Sequence, residues 1–212
     1  MLVHLRRSLI MAVICLVFFG FVYAFAGTGV SQLLFKNQAD GSLSSAGSTL
    51  IGQPWNLTKC PGHPLGSCVF QGRPDDLGPY ADANAKDPSP AGHPGDDPYI
   101  LNGAAGSSGA TNLGPRSQEL LTDTKTLVKY WHARGVNPTP DLVTTSGSGY
   151  DPDISQQDAI VQIPMVAKAT GISSARLHAL IVRYTHPAQW GFLGAQYIDV
   201  LQLNEGLATL KK

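Results

Sequence analysis

Ser8 to Thr28 reads SLIMAVICLVFFGFVYAFAGT, 21 residues without one charge. A helix needs about 20 such residues to cross a hydrocarbon core roughly 30 Å thick. His4, Arg6 and Arg7 precede the run, and no further Lys or Arg occurs until Lys36. Basic residues stay on the cytoplasmic side of a membrane. The expected layout is therefore a cytoplasmic tail (1–7), a transmembrane helix (8–28) and a larger domain outside the cell (29–212). The rival reading is a signal peptide cleaved after Ala26, because Ala24-Phe25-Ala26 follows the apolar core. That reading frees a secreted enzyme or binding protein. Two details favour retention. The run is longer than a signal core of ~7–15 residues. Gly20, Ala24 and Thr28 recur at four-residue spacing, with Ala12 two steps earlier, and small side chains let another membrane helix approach closely. Ile14 precedes Cys15 where a lipoprotein acceptor has a small residue.

The remainder must fold with few charges. Of 212 residues, 14% are charged, and Gly (23) and Pro (15) are abundant. This excludes a coiled coil, an all-helical bundle and a highly charged disordered chain. The formal net charge is zero and no basic stripe exists to neutralise phosphates, so nucleic acid is not the expected partner. Removing Arg6 and Arg7 leaves a net charge of about −2 outside, which does not suggest docking to an anionic lipid surface.

Val30–Ala39 is expected to extend the helix above the bilayer. A strand is expected around Ser48–Gly52 and another at Val69–Gln71. Cys60 and Cys68 can form a disulfide in an oxidising compartment, stay as free thiols, or join His63 at a metal, for which no complete ligand spacing is present. Residues 72–115 are rich in Pro, Gly and Asp. Asp75, Asp76, Asp82, Asp87, Asp96 and Asp97 read as a solvated acidic loop rather than a calcium loop. A helix is expected over Arg116–Arg134, stopped by Gly135, and a strand over Pro140–Thr145. Ser155 and Asp158 cap a helix to Thr170, with Pro164 inside and Gly171 after it. Ser173 caps the next, whose Leu177, Leu180, Ile181 and Tyr184 share a stripe. A strand at Gln196–Leu203 and a short helical tail complete a small α+β domain.

No catalytic residue is expected. Ser146 and Ser148 lie outside any G-x-S-x-G elbow, and nothing marks His178 or His186 as a base. The glycines of Ser146–Gly149 and Gly103–Gly109 lack the lysine and spacing of a phosphate-binding loop. In Asp151-Pro152-Asp153, the proline holds Asp151 extended, and Asp153 precedes a helix N-terminus that suits its charge.

Several segments, in order along nearly the whole chain, carry a family resemblance. They are Gly41-Ser42-Leu43, Gly47-Ser48, Leu50-Ile51-Gly52-Gln53, Phe70-Gln71-Gly72-Arg73-Pro74, Thr111-Asn112-Leu113-Gly114-Pro115, the run DLVTTSGSGYDPDIS from Asp141 to Ser155, Gly191-Phe192-Leu193-Gly194 and Val200-Leu201-Gln202-Leu203-Asn204. With the N-terminal anchor, they make the chain resemble the C subunit of the bacterial Kdp potassium-transporting P-type ATPase. The resemblance implies a plasma-membrane subunit that carries neither the phosphorylated aspartate nor the ion pathway. It implies assembly and stabilisation of the complex, and a catalytic-chaperone role that raises the ATP affinity of the ATP-hydrolysing subunit. Implied partners are a potassium-channel-like subunit, the P-type ATPase subunit, a small membrane subunit and lipid. ATP and potassium are handled by the complex, with no cofactor or metal assigned to this chain. The expected helix-packing residues are Ala12, Gly20, Ala24 and Thr28. The expected interaction loops hold Asn112, Leu113, Gly114 and Pro115, and Ser146, Gly147, Ser148, Gly149, Asp151, Pro152 and Ser155. The sequence departs from the family pattern at Asp153, where histidine is usual, at Met165, where arginine is usual, and at Ser108–Asn112. Insertions also lengthen the loops around Cys60–Cys68 and Asp82–Leu101.

Overall fold

The uncharged apolar run lies within one helix, Val3–Leu34, 32 residues long, whose most apolar 18-residue window has a mean hydropathy of 2.7. At 1.5 Å per residue it is about 48 Å long, more than a bilayer core requires. In this computed structural model, residues 2–44, 46–53, 55, 58–74 and 110–210 are described. The chain divides into two compact units, Met1–Ser44 and Ser45–Lys212.

The first unit comprises α1 (Leu2–Cys15), a π-helical stretch (Leu16–Val22) and α2 (Tyr23–Leu34). Tyr23 N–H bonds to Phe18 O, the wider i→i+5 turn. Four-residue spacing drifts by about 40° per step on an ordinary α-helix, and a wider turn reduces the drift through Gly20. Thr28 Oγ1 donates to Ala24 O at 2.9 Å, so its hydroxyl is satisfied within the helix. The helix passes through Ala24-Phe25-Ala26 unbroken and ends at Leu34, because Phe35 leaves helical geometry (φ −133°, ψ 39°). The extension expected to Ala39 is thus cut to a single turn, α3 (Lys36–Ala39). β1 (Leu43–Ser44) closes the unit.

The second unit begins with β2 (Gly47–Ser48). The strand expected over Ser48–Gly52 stops there because Ser48 Oγ accepts Leu50 N–H at 3.0 Å and turns the chain. Then come α4 (Gln118–Ala133), a 3₁₀ turn (Asp141–Val143), β3 (Asp153–Ile154), α5 (Gln156–Thr170), α6 (Ser174–Tyr184), β4 (Ile198–Asp199) and α7 (Val200–Leu210). β3 and β4 pair antiparallel, Asp153 opposite Asp199 and Ile154 opposite Ile198. The core gathers Phe70, Trp131, Leu142, Leu177, Ile181, Ile198, Leu203 and Leu207. Gly206 lets α7 lie on α6, since a Cβ there would stand 2.5 Å from the Tyr184 ring. The fold is mixed, with mostly helix and few strand residues.

Two further strand expectations are corrected. Pro140–Thr145 makes a turn because Pro140 adopts helical angles (φ −55°, ψ −38°) and the adjacent Leu142 and Val143 are both buried. A strand would send neighbours to opposite faces. Gln196–Leu203 is extended only at Ile198–Asp199. Asp199 Oδ1 accepts Gln202 N–H at 2.7 Å and starts α7. The residues expected to form helices around α5 and α6 do so. Ser155 and Asp158 make the reciprocal cap, Gly171 (φ 71°) ends α5, and Ser173 Oγ accepts Arg176 N–H. The acidic run from Asp75 and Asp76 through Asp82, Asp87, Asp96 and Asp97, and the Gly103–Gly109 glycines, lie outside the described residues.

Candidate interaction site on the Asp141–Ser155 loop

Val69–Gln71 is the other expected strand. It forms no strand: Val69 lies in a bend, and Phe70 and Gln71 have no regular structure. Its backbone is held instead by two side-chain amides. Phe70 N–H donates to Asn204 Oδ1 at 2.8 Å, and Asn204 Nδ2 returns a bond to Phe70 O at 2.8 Å. Gln71 N–H donates to Gln162 Oε1 at 2.8 Å, and Gln162 Nε2 returns one to Gln71 O at 3.0 Å. Tyr130 Oη donates to Gln71 Oε1 at 2.8 Å. Each amide supplies one donor and one acceptor, as a neighbouring strand would. Gln71 and Gln162 are fully buried and Asn204 nearly so, which makes the network a costly one to leave half satisfied.

The clamp delivers Arg73 to the loop. Arg73 Nη2 donates to Thr145 O at 2.9 Å and lies 3.4 Å from Thr144 O. The same guanidinium is 3.8 Å from Asp151 and 4.0 Å from Asp141. One planar cation thus ties both ends of the Thr144–Asp151 bend. Inside the bend, Ser146 Oγ accepts Gly149 N–H at 3.0 Å and meets Ser148 Oγ at 3.1 Å. Gly149 takes a positive φ (72°), available to glycine at little cost. Ser148 Oγ accepts Tyr150 N–H, and Asp151 Oδ1 accepts Asp153 N–H. Gly52 N–H donates to Tyr150 O at 2.8 Å, and a Cβ on Gly52 would come within 2.7 Å of Asp151 O. Val200 N–H donates to Pro152 O at 3.0 Å. Beyond Ser155, Thr139 Oγ1 donates to the capping carboxylate of Asp158.

These bonds hold the loop in one conformation. Ser146 is buried and engaged with its own loop. The amides of Gly149, Tyr150 and Asp153 bond to side chains of the loop itself, which leaves these three unavailable to a phosphate. Asp151 and Asp153 would also repel an anion. The structure joins Ser146, Gly147, Ser148, Gly149, Asp151, Pro152 and Ser155 in one element. Asn112–Pro115 forms a separate turn ahead of α4, and the hydrogen bonds described for it are local, such as Asn112 Nδ2 to Ala110 O and Ser117 N–H to Gly114 O. Ala12, Gly20, Ala24 and Thr28 lie on the apolar helix, all exposed. Cys60 and Cys68 are disulfide-bonded. A cleft of about 380 Å³ beside that loop is lined by His63, His132, Arg134 and Lys168 among others. Arg134 already donates to Tyr130 O at 3.2 Å, at the carbonyl end of α4 where a cation belongs.

Comparison with known proteins decides what this scaffold is. The family model for the K+-transporting ATPase c chain, KdpC, matches residues 5–209. The chain belongs to the KdpC family. A potassium-transporting ATPase KdpC subunit of Methylobacterium nodulans is 37% identical over 99% of this chain and 98% of its own length. Those of Koribacter versatilis and Rhodopseudomonas palustris strain BisB18 are 35% and 36% identical, covering 95% and 100% of this chain and 92% and 100% of theirs. The KdpC match includes the apolar helix, and the secreted-enzyme alternative finds no support in it. Sequence reasoning missed Arg73, Asn204 and Gln162 as the supports of the loop. Arg73 and Asn204 stood inside quoted motifs, but their partners lie about 70 and 134 residues away.

Asp153 carries the one strong electrostatic perturbation described in this KdpC chain. Burial, then the charges of Asp151 and Asp199, push its carboxyl up to about 6, against a smaller opposing effect of His186. Asp199 is also raised, chiefly by burial. The folded state therefore holds a proton more tightly than the unfolded chain does. The resulting stability is fully present below about pH 4 and is lost as the pH rises through about 6. Asp153→Asn should remove Asp153's share of this dependence and leave that of Asp199. With a discount for the solvent that still reaches the half-buried group, the variant should be more stable than the parent by roughly 1 kcal/mol at pH 7.5 and equal to it at about pH 3. Thermal unfolding of both chains across that range measures the difference.

Proposed function

We propose that this chain is the non-catalytic accessory subunit of an ATP-driven potassium uptake complex. Its single helix anchors it in the bacterial plasma membrane, with residues 1–7 in the cytoplasm and residues 29–212 outside. The outer domain assembles and stabilises the complex by seating the Asp141–Ser155 loop on a potassium-channel-like subunit, near its outer mouth. A P-type ATPase subunit and a small membrane subunit are the other partners. The carrying observation is one chain that pairs a 32-residue apolar helix with a KdpC match over residues 5–209.

The catalytic-chaperone effect fits this topology only as allostery. ATP is cytoplasmic, and seven tail residues offer no nucleotide site. A subunit that contacts two pump conformations unequally shifts their populations, and with them the pump's ATP affinity. Orientation is the testable core. Lys125→Cys places a thiol on the exposed face of α4. The other cysteines are Cys15 in the apolar helix and the bonded pair Cys60–Cys68. A membrane-impermeant maleimide should label this variant in whole cells with a permeabilised outer layer. Labelling only after lysis of the inner membrane would overturn the orientation.

A further inference from the structure

Between Arg183 and Asp199 the chain has no Asp, Glu, Lys or Arg. The segment folds into a tight hairpin. His186 and Tyr197 exchange both backbone hydrogen bonds, at 2.8 and 3.1 Å, and their rings stack at 4.9 Å. Gln189 and Leu193 also exchange both, each at 2.9 Å. The turn between them forces Trp190 to a positive φ of 54°, followed by Gly191 at 82°. A bulky residue in that region is held there by its surroundings at some cost. The result is a rigid apex that displays Trp190 (78% exposed) and Phe192 (73%), with Leu193 half covered behind them. Among the described residues, neither ring belongs to the hydrophobic core.

We infer that this hairpin tip inserts into the outer interface of the lipid bilayer, giving the extracytoplasmic domain a second membrane contact. The inference rests on the anchored reading above. Three observations select lipid as the occupant. Trp and Phe on an uncharged, glycine-flanked turn match the side chains that settle at the headgroup level. The tether is short: α2 ends at Leu34 and the second unit begins at Ser45, so the linking residues span at most about 35 Å when fully extended. The bilayer is thereby held at high effective concentration beside the domain. Finally, the segment between Arg183 and Asp199 carries no Lys or Arg, so insertion is apolar and indifferent to lipid charge.

The test uses the full chain reconstituted in phosphatidylcholine vesicles with brominated acyl chains. Trp55, Trp131 and Trp190 are the three tryptophans, and Trp131 is fully buried. The emission lost in Trp190→Phe therefore isolates the tip. Brominated lipid should quench that component about two-fold relative to ordinary lipid, at low and raised salt alike. A Trp190 component that water-borne acrylamide quenches and brominated lipid does not would overturn the inference, even though the chain floats with the vesicles. Shielding from acrylamide that arises only when partner subunits are added would overturn it too, by making the tip a protein contact. A chain that does not float with the vesicles would sink the anchored reading, and this inference with it.

Discussion

Asn204→Ala should lower the stability of the second unit by about 2–5 kcal/mol, the largest single effect expected outside the hydrophobic core. Asn204 Oδ1 and Nδ2 satisfy the N–H and C=O of Phe70, each at 2.8 Å, across 134 residues of sequence. Alanine leaves both backbone groups without a partner in a dry interior, and each such group costs about 1–3 kcal/mol. Asn204→Asp sharpens the test. The carboxylate can still accept from Phe70 N–H, but it meets Phe70 O with an oxygen. It should destabilise as much as alanine despite its near-identical shape. Glu205→Ala, one residue on and exposed, should change stability by less than about 0.5 kcal/mol. Urea unfolding of the detergent-solubilised chain, followed by near-ultraviolet circular dichroism, measures all three. An Asn204→Ala midpoint equal to that of the parent would show that the Val69–Gln71 segment is held by something other than the amide clamp.

The second large effect is expected at Arg73. Its side chain is 21% exposed and reaches Thr145 O, Thr144 O, Asp151 and Asp141. Arg73→Ala removes one strong and one long hydrogen bond, and leaves Asp141 and Asp151 without their cation. Hydrogen bonds to a charged group contribute about 1.5–3 kcal/mol, so a loss of about 2–3 kcal/mol is expected, concentrated in the loop. Arg73→Lys keeps the charge but cannot fork between two carbonyls and two carboxylates, and should fall between. The functional consequence separates this residue from the clamp. The Arg73→Ala domain should still fold, because the buried amide pairs are untouched. Recovery of partner subunits should nevertheless drop about ten-fold, the equivalent of ~1.4 kcal/mol of lost loop pre-organisation. Full recovery of partners with Arg73→Ala would mean that the loop is not the docking surface.

The apolar N-terminal helix and the later helices could be read directly because their signals are local. Twenty-one uncharged residues, the Ser155–Asp158 pair, and the glycines after Arg134 and Thr170 each act within a turn or two of themselves. The strands failed for the opposite reason. Leu142 and Val143 look like strand residues, but Pro140 starts a turn and the core takes both side chains. Gln196–Leu203 alternates like a strand until Asp199 caps a helix. Val69–Gln71 has strand-like composition but forms no strand, because its backbone partners are the side chains of Gln162 and Asn204, which no periodicity reveals. The loop Asp141–Ser155 was visible as a motif, while its dependence on Arg73 was not. A guanidinium some 70 residues upstream leaves no local trace.

We propose that this KdpC-family chain works by holding membrane partners together through the domain that follows its apolar helix. Affinity isolation of the full chain from its own membranes in mild detergent tests it most directly. The account predicts that a potassium-channel-like subunit and a P-type ATPase subunit are recovered with the parent chain in a constant ratio, and that both are depleted from the Arg73→Ala preparation. Recovery of the parent chain by itself, folded and free of both subunits, would contradict it.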